Sequence, residues 1–254
     1  VRISDNRRGL VEFRDVTFSY PGAEKPVLSD ISFTANPGEV TAIIGGTGSG
    51  KSTLIHLIPR FYDVGGGSVL IDGVDIREMA QEDLRSKIGF VPQSPVLFSG
   101  TVSENIRYGK EDATDEEVVH AADIAQASDF IYAMQEGFDA TIAQGGTNVS
   151  GGQKQRLSIA RALVRKPEIF IFDDSFSALD FKTDAKLRSA LKKEKGDSTV
   201  IIVAQRVSTV MDAEKIIVLE NGKIAGMGRH RELLKTCRVY REIVVSQLSE
   251  EEIA

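Results

Sequence analysis

A glycine-rich stretch from Gly45 to Thr53 constrains this chain more than any other part of its sequence. It reads G-x-x-x-x-G-K-S, and it lies between a strand-like apolar segment, Val40 to Ile44, and a helix-like segment, Leu54 to Phe61. Glycines let successive backbone N–H groups turn toward one anion, and the start of a helix adds unpaired N–H groups and the positive end of its dipole. In this strand–loop–helix order, the stretch predicts a phosphate loop that holds a nucleoside triphosphate.

The residue types in the phosphate loop suit a magnesium-bound triphosphate. Lys51 is placed to reach the β- and γ-phosphates, and the Ser52 hydroxyl is a ligand for Mg²⁺. The alternative is a glycine-rich turn ahead of an ordinary helix, and the order of strand, loop and helix weighs against it. The predicted nucleotide-binding residues of the loop are Gly45, Thr47, Gly48, Ser49, Gly50, Lys51, Ser52 and Thr53.

Composition narrows the class of protein. The 254 residues are 41% hydrophobic, which is enough for one large α/β domain or two smaller ones. The formal net charge of −6 argues mildly against a nucleic-acid partner. No apolar run approaches the ~18 residues of a membrane span, so we expect any membrane domain to lie outside this chain. The chain begins at Val1, which suggests a domain cut from a longer polypeptide or a processed N-terminus.

Alternation of apolar and polar residues predicts an antiparallel β part near the N-terminus. Residues 10–20 and the segment Val27 to Ala35 have the pattern of paired strands on either side of a turn. Two further hairpins are predicted by the turn pairs Asp72-Gly73 and Asn221-Gly222.

Helical periodicity replaces the strand pattern between about Pro92 and Lys166. Thr114 opens a helix with a capping box, and Ser128 is predicted to cap a short helix. Ser150 is predicted to cap a third helix, Gly151 to Arg165. The whole pattern predicts an α/β fold with an N-terminal antiparallel β subdomain and an inserted α-helical subdomain. The RecA-like P-loop NTPase core would comprise residues 1–92 and 167–254, and the helical subdomain residues 93–166.

Asp173 follows the apolar segment Ile169 to Phe172. An aspartate at the carboxyl end of a central strand is placed to hold Mg²⁺ beside a phosphate loop. Apolar strands also end in aspartate because of turn geometry, so this residue alone decides little. The other motifs of the chain are Tyr20, Gln93, Ser150-Gly151-Gly152-Gln153 and Ser177-Ala178-Leu179-Asp180.

Taken together, these motifs resemble the nucleotide-binding domain of an ABC transporter, from Tyr20 to about Val210. The Ser-Gly-Gly-Gln segment between a phosphate loop and a strand-end aspartate is the most specific of them. The segment Val91 to Ile106 resembles the exporter branch of the family rather than importers or soluble relatives.

The resemblance implies a role for each motif. Tyr20 would stack on the adenine ring of ATP, since an aromatic face suits a purine; the alternative is a core tyrosine at the end of a strand. Gln93 would give an oxygen to Mg²⁺, sense the γ-phosphate and couple it to the helical subdomain. The magnesium ligands would then be Ser52, Gln93 and Asp173.

The signature segment, Ser150 to Gln153, would be a second anion site made of a hydroxyl and the N–H groups of a helix start. In the family this site closes on the γ-phosphate held by the opposite subunit, so that two ATP molecules lie between two domains. Ser150, Gly151, Gly152 and Gln153 would therefore contact a partner's ATP, and Asp180 would lie at the seam of the dimer.

The chain departs from the family pattern at three places. Asp174 stands where the family has a glutamate that polarises the attacking water, and Gln205 stands where it has a histidine facing the γ-phosphate. Residues 143–146 read Ala-Gln-Gly-Gly where exporters commonly have Gly-Glu-Arg-Gly, in a loop that contacts the membrane domains in the family.

Two changes at one hydrolytic centre, beside an intact phosphate loop and signature segment, resemble the degenerate half of a heterodimeric bacterial exporter. The hypothesis is an ABC-type ATPase that binds ATP and Mg²⁺, hydrolyses its own ATP weakly, and completes the competent site of a different chain carrying the consensus glutamate and histidine. Its other partners would be the transmembrane domains of an exporter at the cytoplasmic face of the cell membrane.

Several alternatives stay open beside this hypothesis. One is a slow homodimeric exporter ATPase, and another is a nucleotide-gated clamp that does not hydrolyse ATP. A soluble ABC protein of DNA repair or translation is disfavoured, because the chain has no long coiled-coil insertion, no tandem domain and no basic linker. A GTPase is disfavoured because no Asn-Lys-x-Asp segment is present.

Overall fold

The computed structural model of the chain describes residues 8–248, and these fall into two compact units. The first unit holds residues 8–88, 168–174 and 197–248, and the second holds residues 89–167 and 175–196. The predicted helical segment, residues 93–166, lies within the second unit. Residues 175–196, predicted as part of the core, lie in the second unit as well.

Strands and helices are interspersed along the described chain. The strands are β1 (Val11–Phe18), β2 (Leu28–Ala35), β3 (Val40–Gly45), β4 (Gly66–Ile71), β5 (Val74–Asp75), β6 (Ile88–Val91), β7 (Gly100–Thr101), β8 (Thr141–Ile142), β9 (Ile169–Asp173), β10 (Thr199–Val203), β11 (Lys215–Glu220) and β12 (Lys223–Gly228). The helices are α1 (Lys51–His56), α2 (Gln81–Ser86), α3 (Val102–Arg107), α4 (Asp115–Ile124), α5 (Ser128–Ala133), α6 (Gly151–Leu163), α7 (Phe181–Glu194), α8 (Val207–Val210), α9 (His230–Thr236) and α10 (Arg238–Gln247). Among the helices of residues 8–248, none combines the length and the apolar character that a bilayer crossing requires.

An antiparallel sheet in the first unit has the strand order β2-β1-β4-β5. Its buried face follows the alternation of β1, where Val11, Phe13, Val16 and Phe18 are buried. Phe13 lies opposite Phe33 of β2, and their rings stack with centroids 4.6 Å apart. The predicted antiparallel β subdomain is confirmed.

The larger sheet of the first unit has the order β12-β11-β3-β10-β9. Strands β11, β3, β10 and β9 are parallel neighbours. Val203 of β10 lies in register with Ile43 of β3 and with Asp173 of β9. Because the carboxyl ends of parallel strands share one edge, the loops after β3, β9 and β10 are brought together there.

Three local predictions were wrong. Helix α1 begins at Lys51 and ends at His56 rather than running from Leu54 to Phe61, since Pro59 disfavours helical backbone at the residue before it. The Ser128 hydroxyl does not cap α5; it bonds to the Asp123 carboxylate. Strands β7 and β8 pair within the predicted helical segment, and strands this short carry no alternating pattern.

The Asn221-Gly222 turn between β11 and β12 connects two parts of the first unit. The Gly222 N–H donates to the Ser49 carbonyl at 3.1 Å, and the Gly222 carbonyl accepts from the Ser29 N–H at 2.9 Å. Gly222 has a φ of 73°, and a Cβ added there would lie 2.0 Å from the Val27 carbonyl oxygen. The turn therefore supports the phosphate loop, and only glycine fits its backbone.

We expect Gly222→Ala to lower the free energy of unfolding by about 2–4 kcal/mol, because the left-handed backbone costs a β-carbon roughly 1–2 kcal/mol and overpacking adds more. Gly196→Ala is the matched control, since Gly196 also has positive φ, 52°, yet a Cβ there meets no atom within 4 Å. Denaturant unfolding of both variants measures the difference. If Gly222→Ala and Gly196→Ala lower the free energy of unfolding equally, the close approach of Gly222 to Val27 has no steric role.

Candidate functional site

The phosphate loop folds around the Lys51 side chain. Lys51 Nζ donates to the Gly45 carbonyl at 2.9 Å and to the Gly46 carbonyl at 2.8 Å. Burial lowers the pKa of Lys51, and the carboxylates of Asp174 and Asp173 oppose that shift. The ammonium group therefore lies inside the curled loop, near two carboxylates, where the phosphates of a nucleotide would replace carbonyl oxygens as its partners.

Two oxygen donors next to the loop fit a magnesium ion. The Ser52 hydroxyl donates to Asp173 Oδ1 at 2.8 Å, and Asp173 is buried with 4% of its surface exposed. Mg²⁺ prefers oxygen ligands and is commonly held by one or two protein groups together with phosphates and water. Within residues 8–248 no group of three or more His, Cys, Asp or Glu side chains gathers as a metal site, and this kind of magnesium site does not need one.

His56 also contacts Asp173, although no sequence motif singles it out. Its Nε2 lies 3.2 Å from Asp173 Oδ2, so Ser52 and His56 hold the two carboxylate oxygens of Asp173 from one helix. The two residues are four positions apart in α1 and share one face. This spacing of four was the only sign of His56 in the sequence. It points to a shared partner only when Asp173 is known to face α1.

The two residues that depart from the family pattern contact each other. Asp174 follows β9, its N–H donates to the Val203 carbonyl at 2.9 Å, and it is buried. Gln205 follows β10, and its Nε2 donates to Asp174 Oδ2 at 3.1 Å. The φ of Asp174 is 45°, a left-handed conformation that aspartate tolerates better than most residues with a side chain. The Asp174 carboxylate also acts electrostatically on Lys51. The side chains of Asp174, Gln205 and Lys51 therefore lie near one another at the carboxyl edge of the sheet.

Tyr20 is attached to the phosphate-loop helix. Its hydroxyl lies 2.8 Å from Thr53 Oγ1. Its ring makes edge contacts with Phe18 at 5.0 Å and with Tyr62 at 5.3 Å, at interplanar angles of 82° and 90°. Tyr20 is half-buried. No sequence motif singles out Tyr62, which packs edge-on against the Tyr20 ring.

In the second unit, the signature segment forms the start of α6. The Ser150 hydroxyl accepts from the Gln153 N–H at 3.2 Å, and Gln153 Oε1 accepts from the Ser150 N–H at 2.9 Å, which is a capping box. A Cβ at Gly151 would meet no atom within 4 Å, whereas one at Gly152 would lie 3.2 Å from the Ala178 carbonyl. Gly152 therefore permits the close approach of the segment that ends in Asp180.

Asp180 caps the next helix. Its carboxylate accepts from the Thr183 N–H at 2.9 Å and from the Thr183 hydroxyl at 2.7 Å. These hydrogen bonds lower the pKa of Asp180, with the backbone bond as the larger cause. Helix α7 consequently begins at Phe181.

Gln93 is exposed, and the backbone just before it is held by two side chains. The Ser175 hydroxyl donates to the Val91 carbonyl at 2.9 Å, and Gln155 Nε2 donates to the Pro92 carbonyl at 3.2 Å. Gln155 belongs to α6, so the helix that carries the signature segment also holds the segment that carries Gln93. Gln155 was not selected from the sequence, because a single glutamine inside a helix gives no local signal of a distant partner.

Comparison with known proteins decides the family. Residues 28–177 match the family model described as ABC transporter. The chain belongs to the ABC transporter family. Domains of this family are ATPases, and the predicted fold, a P-loop NTPase core with an antiparallel β subdomain, is confirmed for this member.

Similar proteins cover nearly all of the chain. An uncharacterized ABC transporter ATP-binding protein of Mycobacterium tuberculosis is 51% identical over 247 residues, which are 96% of this chain and 42% of that protein. An uncharacterized ABC transporter ATP-binding protein of Bacillus subtilis is 46% identical over 98% of this chain and 43% of its own length. The chain spans about two fifths of the length of the curated relatives it matches.

A solved structure with the same fold is that of a bacterial Atm1-family ABC exporter with ATP bound. The two share a TM-score of 0.91 and 40% sequence identity, over 95% of this chain and 42% of the exporter chain.

Proposed function

We propose that this chain is the ATP-binding domain of an ABC exporter, that it holds Mg-ATP in its own phosphate loop with weak hydrolysis, and that its signature segment completes the competent site of a partner domain. The observation that carries the proposal is the hydrogen bond between Asp174 and Gln205 beside an intact phosphate loop. Both partners in that bond differ from the residues that the family uses for hydrolysis.

Binding of ATP is supported by the groups around the loop. Lys51 and the N–H groups of the loop would hold the phosphates, and Ser52 with Asp173 would hold Mg²⁺. The magnesium ion would neutralise charge on the phosphate oxygens. Tyr20 would offer its ring to adenine. The similar exporter structure has ATP bound, at 40% identity to this chain.

Weak hydrolysis follows from the chemistry of the two departures. Aspartate is one methylene shorter than glutamate, so its carboxylate lies ~1–1.5 Å further from the water, and a misplacement of about 1 Å costs on the order of 10²-fold in rate. Glutamine donates only a neutral hydrogen bond, and loss of one strong transition-state donor costs about 10²–10³-fold. Gln205 Nε2 also donates to Asp174, so each group is turned toward the other.

The signature segment is the proposed contribution to a second ATP. The start of α6 offers N–H groups and the Ser150 hydroxyl to an anion. A partner domain of a different chain, with glutamate and histidine at the two positions, would hold that ATP, and Asp180 would lie at the seam. Gln93 would transmit the state of the nucleotide to the helical subdomain and so to the transmembrane domains of the exporter at the cytoplasmic face of the membrane.

The test is ATPase activity of the purified chain alone and after addition of a nucleotide-binding domain that carries the consensus glutamate and histidine. We expect turnover near background for the chain alone and substantial turnover for the mixture. Brisk turnover by the chain alone contradicts the proposal. Slow turnover that rises with the square of chain concentration favours a homodimer, and a mixture that binds ATP without turnover favours a clamp.

We expect Tyr20→Ala to lower ATP affinity about tenfold, since stacking of a base on an aromatic ring is worth about 1–3 kcal/mol. Tyr20→Phe keeps the ring and loses only the bond to Thr53, so its affinity should stay within about threefold of wild type. Calorimetric titration with Mg-ATP measures both variants. If Tyr20→Ala leaves the affinity for ATP unchanged, Tyr20 is a core residue and does not contact adenine.

A further inference from the structure

Helix α10 carries a side chain that reaches the loop between β10 and α8. Tyr240 and Val244 of α10 are fully buried, and the Tyr240 hydroxyl lies 2.7 Å from His230 Nδ1. Gln247 occupies the next position of the same face, because residues spaced by four and by seven share one side of a helix. Tyr240 and Val244 set the orientation of α10, and Gln247, itself exposed, follows them on that side at the end of the helix.

The Gln247 amide makes two hydrogen bonds to the backbone on either side of Arg206. Its Oε1 accepts from the Val207 N–H at 2.8 Å, and its Nε2 donates to the Gln205 carbonyl at 2.7 Å. A single side chain thus spans the β10–α8 loop, residues 204–206. The bonded residues are 40 and 42 positions apart in the sequence, so only the tertiary structure brings them together.

Val207 is the first residue of α8, so its N–H is one of the helix-start donors that have no partner within the helix. The N-cap position is occupied by Arg206, which makes no side-chain capping bond, and a guanidinium group has no acceptor atom. Serine, threonine, aspartate and asparagine are the usual residues at this position. Gln247 supplies the acceptor from α10.

The contacts continue from Gln247 to the nucleotide site. Gln247 holds the backbone of Gln205, the Gln205 side chain donates to Asp174, and the Asp174 carboxylate acts on Lys51 of the phosphate loop. We infer that Gln247 is a positioning residue that clamps the β10–α8 loop and sets the direction of the side chain at position 205 relative to the nucleotide. The catalytic consequence rests on the proposed function, whereas the clamp itself is independent of turnover.

Hydrogen exchange of the Val207 amide, followed by NMR in the 254-residue chain, tests the clamp. Gln247→Ala should speed exchange of this amide about tenfold, while Gln247→Glu, which keeps an acceptor oxygen, should retain the protection. Val245→Ala is the matched control, because Val245 lies on the same helix and is 62% exposed. The Gln205 side-chain amide resonances should also shift in Gln247→Ala. Equal Val207 exchange in wild type and Gln247→Ala overturns the clamp.

The catalytic consequence is measured in a chain that carries Asp174→Glu and Gln205→His, mixed with a partner domain that supplies its signature segment and whose own phosphate-loop lysine is replaced. Adding Gln247→Ala should lower kcat about 3- to 10-fold and leave KM for ATP within about twofold. The reason is that the substitution displaces the β10–α8 loop and leaves the phosphate loop intact. An unchanged kcat, or a loss confined to KM, overturns the positioning role. Absence of turnover before Gln247 is changed would contradict the proposed function instead, and the Val207 exchange and Gln205 resonances then decide the clamp.

Discussion

Asp174→Glu combined with Gln205→His is expected to raise the ATPase rate at this chain's own phosphate loop by about 10²-fold or more, measured with a partner domain that supplies its signature segment and whose own phosphate-loop lysine is replaced. Glutamate extends the carboxylate toward the attacking water, and histidine supplies a donor that is able to carry positive charge. Both positions lie at the carboxyl edge of the larger sheet, where β9 and β10 are in register. Steady-state phosphate release in excess Mg-ATP measures the gain.

Two controls accompany this double substitution. Adding Lys51→Ala should remove the gain, since the phosphates then lose their cation. Unfolding must be measured in parallel, because position 174 has a φ of 45° and glutamate tolerates that backbone less well than aspartate. The effects of the two single variants on the activation free energy should not add up to the effect of the double variant, since groups that act together are non-additive. An unchanged rate in a folded, ATP-binding double variant would remove the chemical basis of the weak-hydrolysis proposal.

Lys51→Ala is expected to lower the affinity for ATP about 10²-fold, since each charge-assisted bond to a phosphate is worth roughly 1.5–3 kcal/mol and each 1.4 kcal/mol is tenfold. The substitution also removes the donor that holds the Gly45 and Gly46 carbonyls, so the melting temperature is recorded as well. Calorimetric titration with Mg-ATP measures the affinity.

Lys223→Ala is the matched control for Lys51→Ala. Lys223 is exposed at the start of β12 in the same unit, so its removal changes the net charge equally without touching the loop. We expect ATP affinity within about twofold of wild type for this variant, because an exposed charge is largely screened at physiological salt. A similar loss in both variants would show that net charge, rather than the Lys51 contact, governs binding.

Together the two expected results describe a site that binds ATP firmly and cleaves it slowly. The phosphate loop, Ser52 and Asp173 fit the phosphates and Mg²⁺, while Asp174 and Gln205 are bonded to each other. A nucleotide held in this way would stay bound for long periods. The contribution of the chain to turnover would then be made by the signature segment on a partner's ATP.

Much of the fold was predictable because its signals are local. The capping box at Thr114 was predicted and is present, with the Thr114 hydroxyl accepting from the Glu117 N–H. The Asn221-Gly222 turn joins β11 and β12 as predicted. The two-residue strands β7 and β8 were missed, because their pairing joins segments that are far apart in the sequence.

The sequence by itself determined the family and the phosphate loop, and it supplied the predicted site residues. Only the tertiary structure decided which of them are bonded. Gln205 reaches Asp174 because β9 and β10 are adjacent and in register. His56 reaches Asp173 because α1 lies beside the end of β9, and Gln247 reaches Val207 because the packed face of α10 places it there. Hydrogen-bond partners this far apart depend on strand register and helix packing, and local periodicity encodes neither.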